Sequence, residues 1–178
     1  MSQADLSAAI TRALADHVGV AEFDVVSMGE DGSEVVAVVV PAEVSSAIEI
    51  REDLWAVADG LGHEVSPVVV AVAGLPAGGV DDAWLREKLA GSSSVSRYEP
   101  PATPLEEELA SRMADVLGRP RVSVGDDFME LGGDSLTAVE FVTALQETHE
   151  VSVSVAELFG AGTVRRLTGL LEDHSSAA

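Results

Sequence analysis

Apolar residues recur along this chain with two different periods, and the mixture changes near its middle. Leu6, Ile10, Leu14 and Val18 stand four apart, the spacing of an amphipathic helix. Phe23 to Ser27 reads as a short strand, Gly29-Glu30-Asp31-Gly32-Ser33 as a turn cluster, and Glu34 to Val40 as a β-branched strand closed by Pro41. Ile50, Leu54, Val57, Ala58 and Leu61 predict a second helix. Val65 to Ala73 predicts a third strand, and Pro67 puts its start at a sheet edge, because proline cannot donate to a ladder. Trp84, Leu85 and Leu89 form the inner face of a closing helix. The expected fold of this part is α+β, a three-stranded sheet packed with helices.

The second half reads as helical throughout. Gly91-Ser92-Ser93-Ser94-Val95-Ser96 is a small, polar, flexible run, and Arg97-Tyr98-Glu99-Pro100-Pro101-Ala102 a stiffer extended piece. Thr103-Pro104-Leu105-Glu106 is a capping-box start, with proline at the first helical position and glutamate at the third. The helix it opens should bury Leu105, Leu109, Met113, Val116 and Leu117. A long loop carrying Val122, Val124 and Phe128 leads to a second helix, where Leu136, Val139, Val142 and Leu145 recur at three- and four-residue steps with Glu140 and Glu147 between them. Val155-Ala156-Glu157-Leu158-Phe159 predicts a short helix. Gly162-Thr163-Val164 opens a last one, burying Val164, Leu167, Leu170 and Leu171. An all-α helical bundle thus follows the α+β part. The predicted divisions are residues 1–90, a linker at 91–103, the bundle at 104–173 and a tail at 174–178. Each domain keeps enough apolar residues for a small core, and no internal repeat relates them.

The chemistry concentrates at Ser135. Gly132 and Gly133 can take backbone angles with φ > 0 and so turn the chain sharply before it. Ser135 then sits at a helix N-terminus, where unpaired N–H groups and the helix dipole favour an attached phosphodiester. Asp134 is a good helix cap and a candidate aid to metal-assisted phosphoryl transfer by a partner enzyme. Taken alone, Gly133-Asp134-Ser135 is better read as a plain helix cap.

Its surroundings go further. Asp126-Asp127-Phe128-Met129-Glu130-Leu131-Gly132-Gly133-Asp134-Ser135-Leu136 resembles the phosphopantetheine attachment site of carrier proteins, most closely the peptidyl carrier (thiolation) domains of nonribosomal peptide synthetases. The resemblance spans residues 98–173, and three main helices, one short helix and a serine opening the second main helix are what that family implies. It implies a phosphopantetheine arm on Ser135, no catalytic residue, and a protein that holds substrates for other enzymes rather than converting them. The implied partners are a phosphopantetheinyl transferase using coenzyme A and Mg²⁺, an adenylation enzyme acting in trans that loads an amino or related acid as a thioester, and tailoring, condensation or release enzymes. Leu136, Val139 and Phe128 would help partners read the helix and loop; each could instead pack the core, a role that suits Phe128 best. The paired glycines before Asp134 lean toward peptide synthesis, while Leu136-Thr137-Ala138-Val139-Glu140 would also suit a polyketide-type acyl carrier.

Residues 1–90 resemble the small C-terminal subdomain of adenylate-forming enzymes. The residues that carry this are His17-Val18-Gly19-Val20-Ala21-Glu22, Val35-Val36-Ala37-Val38-Val39-Val40-Pro41, Val65-Ser66-Pro67, Leu75-Pro76 and Val80-Asp81. In that family a carrier domain follows directly, as here. The family also places a catalytic lysine before the Val-Asp pair. Here Pro76 is followed by Ala77-Gly78-Gly79, so the loop is shortened and Gly79 stands where the lysine would be. The one lysine of the chain, Lys88, falls within the closing helix, where a solvated face is its expected place. Without a cation in that loop, charge developing on an α-phosphate goes unstabilised. The resemblance thus implies a degenerate, non-catalytic subdomain, no adenylation by this chain alone and a freestanding carrier, and it leaves residues 1–90 a role in recruiting partners.

Composition narrows the partners. With 31 acidic against 10 basic residues the formal charge is −21, a surface that repels nucleic acid and anionic membranes and attracts basic protein patches. Pro104 to Asp173 alone holds 14 acidic and 5 basic residues. No cysteine is present, which excludes disulfides, thiolate metal sites and a cysteine nucleophile. No apolar run reaches membrane-spanning length and no basic-then-apolar leader opens the chain, so a cytoplasmic location is expected. His17, His63, His149 and His174 show no metal-ligand spacing, and no metal site is expected.

Two rival functions are worth weighing. Gly133-Asp134-Ser135-Leu136 spells the nucleophile motif of a serine esterase family, but those enzymes need the serine after a strand near the start of an α/β domain and an Asp-x-x-His downstream. Here the serine lies between helices, and Asp173 and His174 are adjacent. The other rival is a split enzyme, to which this chain would lend a subdomain; the absent lysine speaks against a catalytic contribution.

Overall fold

The computed structural model describes residues 3–28, 34–42, 45–63, 66–91, 95–148 and 153–176. The turn expected at Gly29–Ser33, Val65, Ser92-Ser93-Ser94 and His149 lie outside the described residues. The chain forms two compact units, Met1–Arg97 and Tyr98–Ala178. No described helix is long and apolar enough to cross a membrane.

In the first unit, α1 (Gln3–Ala15) leads to β1 (Val20–Met28) and β2 (Glu34–Pro41), which pair antiparallel from Val20↔Pro41 to Met28↔Glu34. The crossover helix α2 (Ala47–Gly60) brings β3 (Val68–Ala71) parallel to β2, and α3 (Asp82–Ala90) precedes a two-residue β4 (Val95–Ser96) antiparallel to β3. The continuous valine run of β2 follows from its central place. Val35, Ala37 and Val39 face Leu6, Ile10, Leu14, Ile50 and Leu54 of α1 and α2, while Val36 and Val38 join Val68, Val70 and Leu85 on the other side. A strand buried on both faces does not alternate with polar residues. Ser46 starts α2 with a full capping box, its hydroxyl accepting from Glu49 N at 3.1 Å and the Glu49 carboxylate accepting from Ser46 N at 3.1 Å.

The sheet has four strands, not the three expected. Val95 and Ser96 fall in the expected linker because two residues beside a serine run carry no periodicity. What recruits them is distant in sequence. The Arg51 guanidinium, 1% exposed, donates from Nη1 to Ser96 Oγ at 3.1 Å and to the Arg97 carbonyl at 3.2 Å, and Arg97 pairs with Glu34 at 3.0 Å. Pro67 also differs from expectation. It stands just before β3, which lies between β2 and β4, so it delimits the strand rather than marking an edge. Val18 is 98% exposed, because α1 ends at Ala15 and the chain turns there, with His17 Nδ1 accepting from Gly19 N at 3.0 Å.

The second unit is helical: α4 (Pro104–Leu117), α5 (Ser135–Thr148), the short α6 (Val155–Ala161) and α7 (Val164–Ser176). Thr103 caps α4, accepting from Glu106 N at 3.1 Å. The buried Glu106 carboxylate returns to Ala102 N at 2.7 Å, one residue earlier than the expected capping box. Gly118 ends α4 with φ 63°, a left-handed cap that suits glycine. Leu109, Met113, Val142, Leu145, Val164 and Leu167 fill the core, with Val122, Val124 and Phe128 of the long loop inserted among them.

Candidate functional site

The loop before α5 winds on itself. Leu131 N donates to Asp127 O at 2.9 Å, Gly132 N to Met129 O at 3.0 Å and Gly133 N to Phe128 O at 2.9 Å. Of the two glycines only Gly132 takes positive φ, at 92°. Gly133 is required for space instead. A Cβ there would lie within 2.5 Å of the Phe128 carbonyl oxygen and closer still to the edge of its ring. Phe128 is fully buried, with ring centroids 6.4 Å from Phe141 and 6.0 Å from Phe159. It is therefore core, and the expectation that partners read it directly does not hold.

Past Gly133 the chain enters α5 through a tight cap. Asp134 Oδ1 accepts from Leu136 N and Thr137 N, both at 2.9 Å, and from Thr137 Oγ1 at 3.0 Å. Thr137 Oγ1 accepts in return from Asp134 N at 2.8 Å. Threonine here does the work that glutamate or glutamine does in a capping box. These bonds, the Thr137 amide first and its hydroxyl second, hold the Asp134 carboxyl below its ordinary range. Its Oδ2 makes no hydrogen bond among the described residues. Ser135 is the first residue of α5, exposed, and its hydroxyl also has no hydrogen-bond partner among them. A group bonded to Ser135 Oγ would project from a helix N-terminus into solvent, with room for an arm and no side chain to displace.

The apolar face predicted for α5 divides. Val142 and Leu145 are buried with Ala138 and Phe141, whereas Leu136 is 67% and Val139 50% exposed. The three-and-four spacing runs along both sides of the helix, and the buried side is the one holding Phe141. Met129 of the loop and Phe159 of α6 are likewise exposed. Sequence reasoning misses both; the signal is present in an unbranched apolar residue between Phe128 and Glu130 and an aromatic at the end of a short helix. Arg119 escapes it too. This side chain donates from Nη2 to the Leu131 carbonyl at 2.8 Å and from Nε at 3.2 Å.

In the first unit, Pro76 to Gly79 closes as a turn, Gly79 N donating to Pro76 O at 2.9 Å with Gly79 φ at 83°. Asp81 caps α3 by accepting from Trp84 N at 2.8 Å. Lys88 is half-buried rather than solvated, its ammonium 5.6 Å from the Trp84 ring centroid, where the ring quadrupole attracts it.

Comparison with known proteins agrees with the second unit. Residues 107–171 match the family model described as the phosphopantetheine attachment site. Over 76 residues, 43% of this chain and 3% of the relative, the sequence is 43% identical to the dimodular nonribosomal peptide synthase of Bacillus subtilis. Over 113 residues, 62% of this chain and 4% of the relative, it is 37% identical to the isonitrile lipopeptide synthase of Mycobacterium tuberculosis. Among solved structures, a type-II acyl-carrier-protein from Streptomyces verticillus involved in bleomycin biosynthesis matches 42% of this chain and 87% of its own at 30% identity, with a TM-score of 0.38. The chain spans only a few per cent of the length of these curated relatives. Residues 107–171 are thus a carrier domain of the nonribosomal peptide synthetase type, a domain that holds phosphopantetheine and is not itself catalytic.

Two outcomes follow from this geometry. Gly133→Ala forces a methyl group against a backbone oxygen and an immobile ring, and should destabilise the second unit by about 1–3 kcal/mol in urea unfolding; an unchanged midpoint would contradict the close packing. The Asp134 cap, with a carboxyl depressed in the folded state, contributes its stability above the ordinary value of 3.8 and loses it as pH falls through the lower folded value. The Leu136 and Thr137 amide resonances should therefore shift with a midpoint below 3.8, as pH falls through the lower folded value.

Proposed function

We propose that the chain is a peptidyl carrier whose Ser135 bears phosphopantetheine and which a separate adenylation enzyme loads. The observation that carries this reading is Ser135 itself: an exposed, unpartnered hydroxyl on the first residue of α5, inside the segment that matches a phosphopantetheine attachment site. A phosphopantetheinyl transferase would bring the Ser135 oxygen to phosphorus at the pyrophosphate of coenzyme A; the P–O bond to the adenosine portion breaks as the new one forms. The serine proton passes to a base on the transferase. The free Oδ2 of Asp134 supports a part for that carboxylate in holding Mg²⁺ during the transfer. The bound arm supplies the thiol on which an amino or related acid is held as a thioester. Tailoring, condensation or release enzymes then visit it in turn.

Exposed Leu136 and Val139 flank the attachment point, and with Met129 and Phe159 they offer partners an apolar surface within an acidic one. Residues 1–90 are a degenerate adenylation-type subdomain in this reading. Its support is the closed Pro76–Gly79 turn, which has no lysine, and a lysine engaged with Trp84 elsewhere. Loading in trans follows, and the retained subdomain would recruit a particular partner.

Intact mass after incubation with a promiscuous transferase, Mg²⁺ and coenzyme A should rise by one phosphopantetheine in the wild type and not in Ser135→Ala. Absence of the gain in a folded wild type would refute the carrier reading. A chain of residues 98–178 should take up the arm equally well but load or react more slowly with the cognate partners; equal rates would remove the recruiting role.

A further inference from the structure

Among the described residues, the side chain that reaches the turn before Ser135 from outside is Arg119. Gly118 closes α4 in the left-handed conformation, and Arg119 N donates to Ala114 O at 2.8 Å, so the backbone from which Arg119 departs is itself fixed. Its guanidinium then reaches twelve residues ahead and gives two donors to a single oxygen, the Leu131 carbonyl. Leu131 is 1% exposed, and no bond from within the turn to its carbonyl is found among the described residues. The three backbone bonds that wind the turn run from Leu131 N, Gly132 N and Gly133 N to the carbonyls of Asp127, Met129 and Phe128, so none uses the Leu131 carbonyl. The next residue is Gly132, where the backbone crosses to positive φ. A carbonyl preceding such a crossing sets the plane of the peptide that crosses. Holding it with a forked cation chooses one orientation out of those that glycine permits.

We infer that Arg119 is a positioning residue for modification of Ser135: by clamping the Leu131 carbonyl it keeps the Gly132-Gly133 turn in the form that presents the serine. The inference rests on the reading of Ser135 as the attachment point. The clamp acts through the backbone of Gly132 and Gly133, not on the transferred group. Losing it lowers the fraction of molecules with the turn correctly formed, and a partner that binds only that form then sees a weaker site by the same factor. The signature is a rise in KM for the carrier with kcat little changed. Lysine should rescue only in part, because an ammonium has no planar fork to hold the carbonyl with two donors.

Two measurements on the full chain test this together. Amide hydrogen exchange of unmodified Arg119→Ala should accelerate by about tenfold at Gly132, Gly133 and Leu136, with α7 unchanged, and Arg119→Lys should fall between it and the wild type. Transferase kinetics should show KM raised by the factor by which the formed fraction falls, at near-constant kcat. Exchange at the turn equal to wild type would overturn the inference, whatever the kinetics, since a direct contact between Arg119 and the transferase could raise KM without loosening the turn. A uniform acceleration across all helices in both variants would also overturn it, by making Arg119 a general support of the fold. If the wild type itself takes no phosphopantetheine, the attachment reading fails while the exchange data still report on the clamp, so the two failures are distinguishable.

Discussion

The contact on which the site depends is that between the Phe128 ring and the bare α-carbon of Gly133. Phe128 is the hinge between core and surface. One side of it is buried against Phe141 of α5 and another against Phe159 of α6, while its carbonyl receives Gly133 N. No side chain fits at 133, so the chain can pass close over the ring, and the next two residues become a capping carboxylate and an exposed hydroxyl. A packing constraint thereby becomes a chemical one. Rigid core residues fix the approach of the loop, the loop fixes the helix start, and the helix start sets out Ser135 with its oxygen free. Binding sites are more precise when built on the ends of packed elements than on loops alone.

Helix positions and the exposed serine that opens α5 can be read from the sequence because they rest on local rules: three-and-four periodicity, proline and threonine at a helix start, glycines before a cap. Reading fails where the deciding interaction is long-range. The Leu136 and Val139 spacing is as helical as that of Phe141 and Leu145, and the places of α4, of α6 and of the Phe128 ring decide which side of α5 is covered. Gly133 reads as a turn glycine by its residue type, yet the structure needs it for want of a side chain. Val95 and Ser96 look like linker until Arg51, far earlier in the chain, supplies the donors that dock them. Val18 continues a four-residue period past the point where backbone bonds to His17 end the helix.

The two units divide structure and chemistry unequally. The first is well packed on both faces of its sheet, but the turn at Pro76–Gly79 carries no charged side chain and the lone lysine is held against Trp84. In the second, at least three of the five arginines are engaged within the unit: Arg119 on the Leu131 carbonyl, Arg165 on Glu99 and Glu106, Arg112 on Glu108 and the Ala144 carbonyl. The exposed surface around Ser135 is left to acids and a few apolar side chains. Such a surface favours basic partners at a distance and apolar contact on arrival, with the long-range part weakened by salt.

The most direct test of the central claim is where the arm sits. Fragmentation mass spectrometry of the protein recovered after exposure to a phosphopantetheinyl transferase should find the added group solely on the peptide containing Gly132-Gly133-Asp134-Ser135-Leu136, with the mass step at Ser135. A group found on another hydroxyl, such as Ser111 or Ser154, would contradict the claim that the Phe128–Gly133 packing exists to present this one serine.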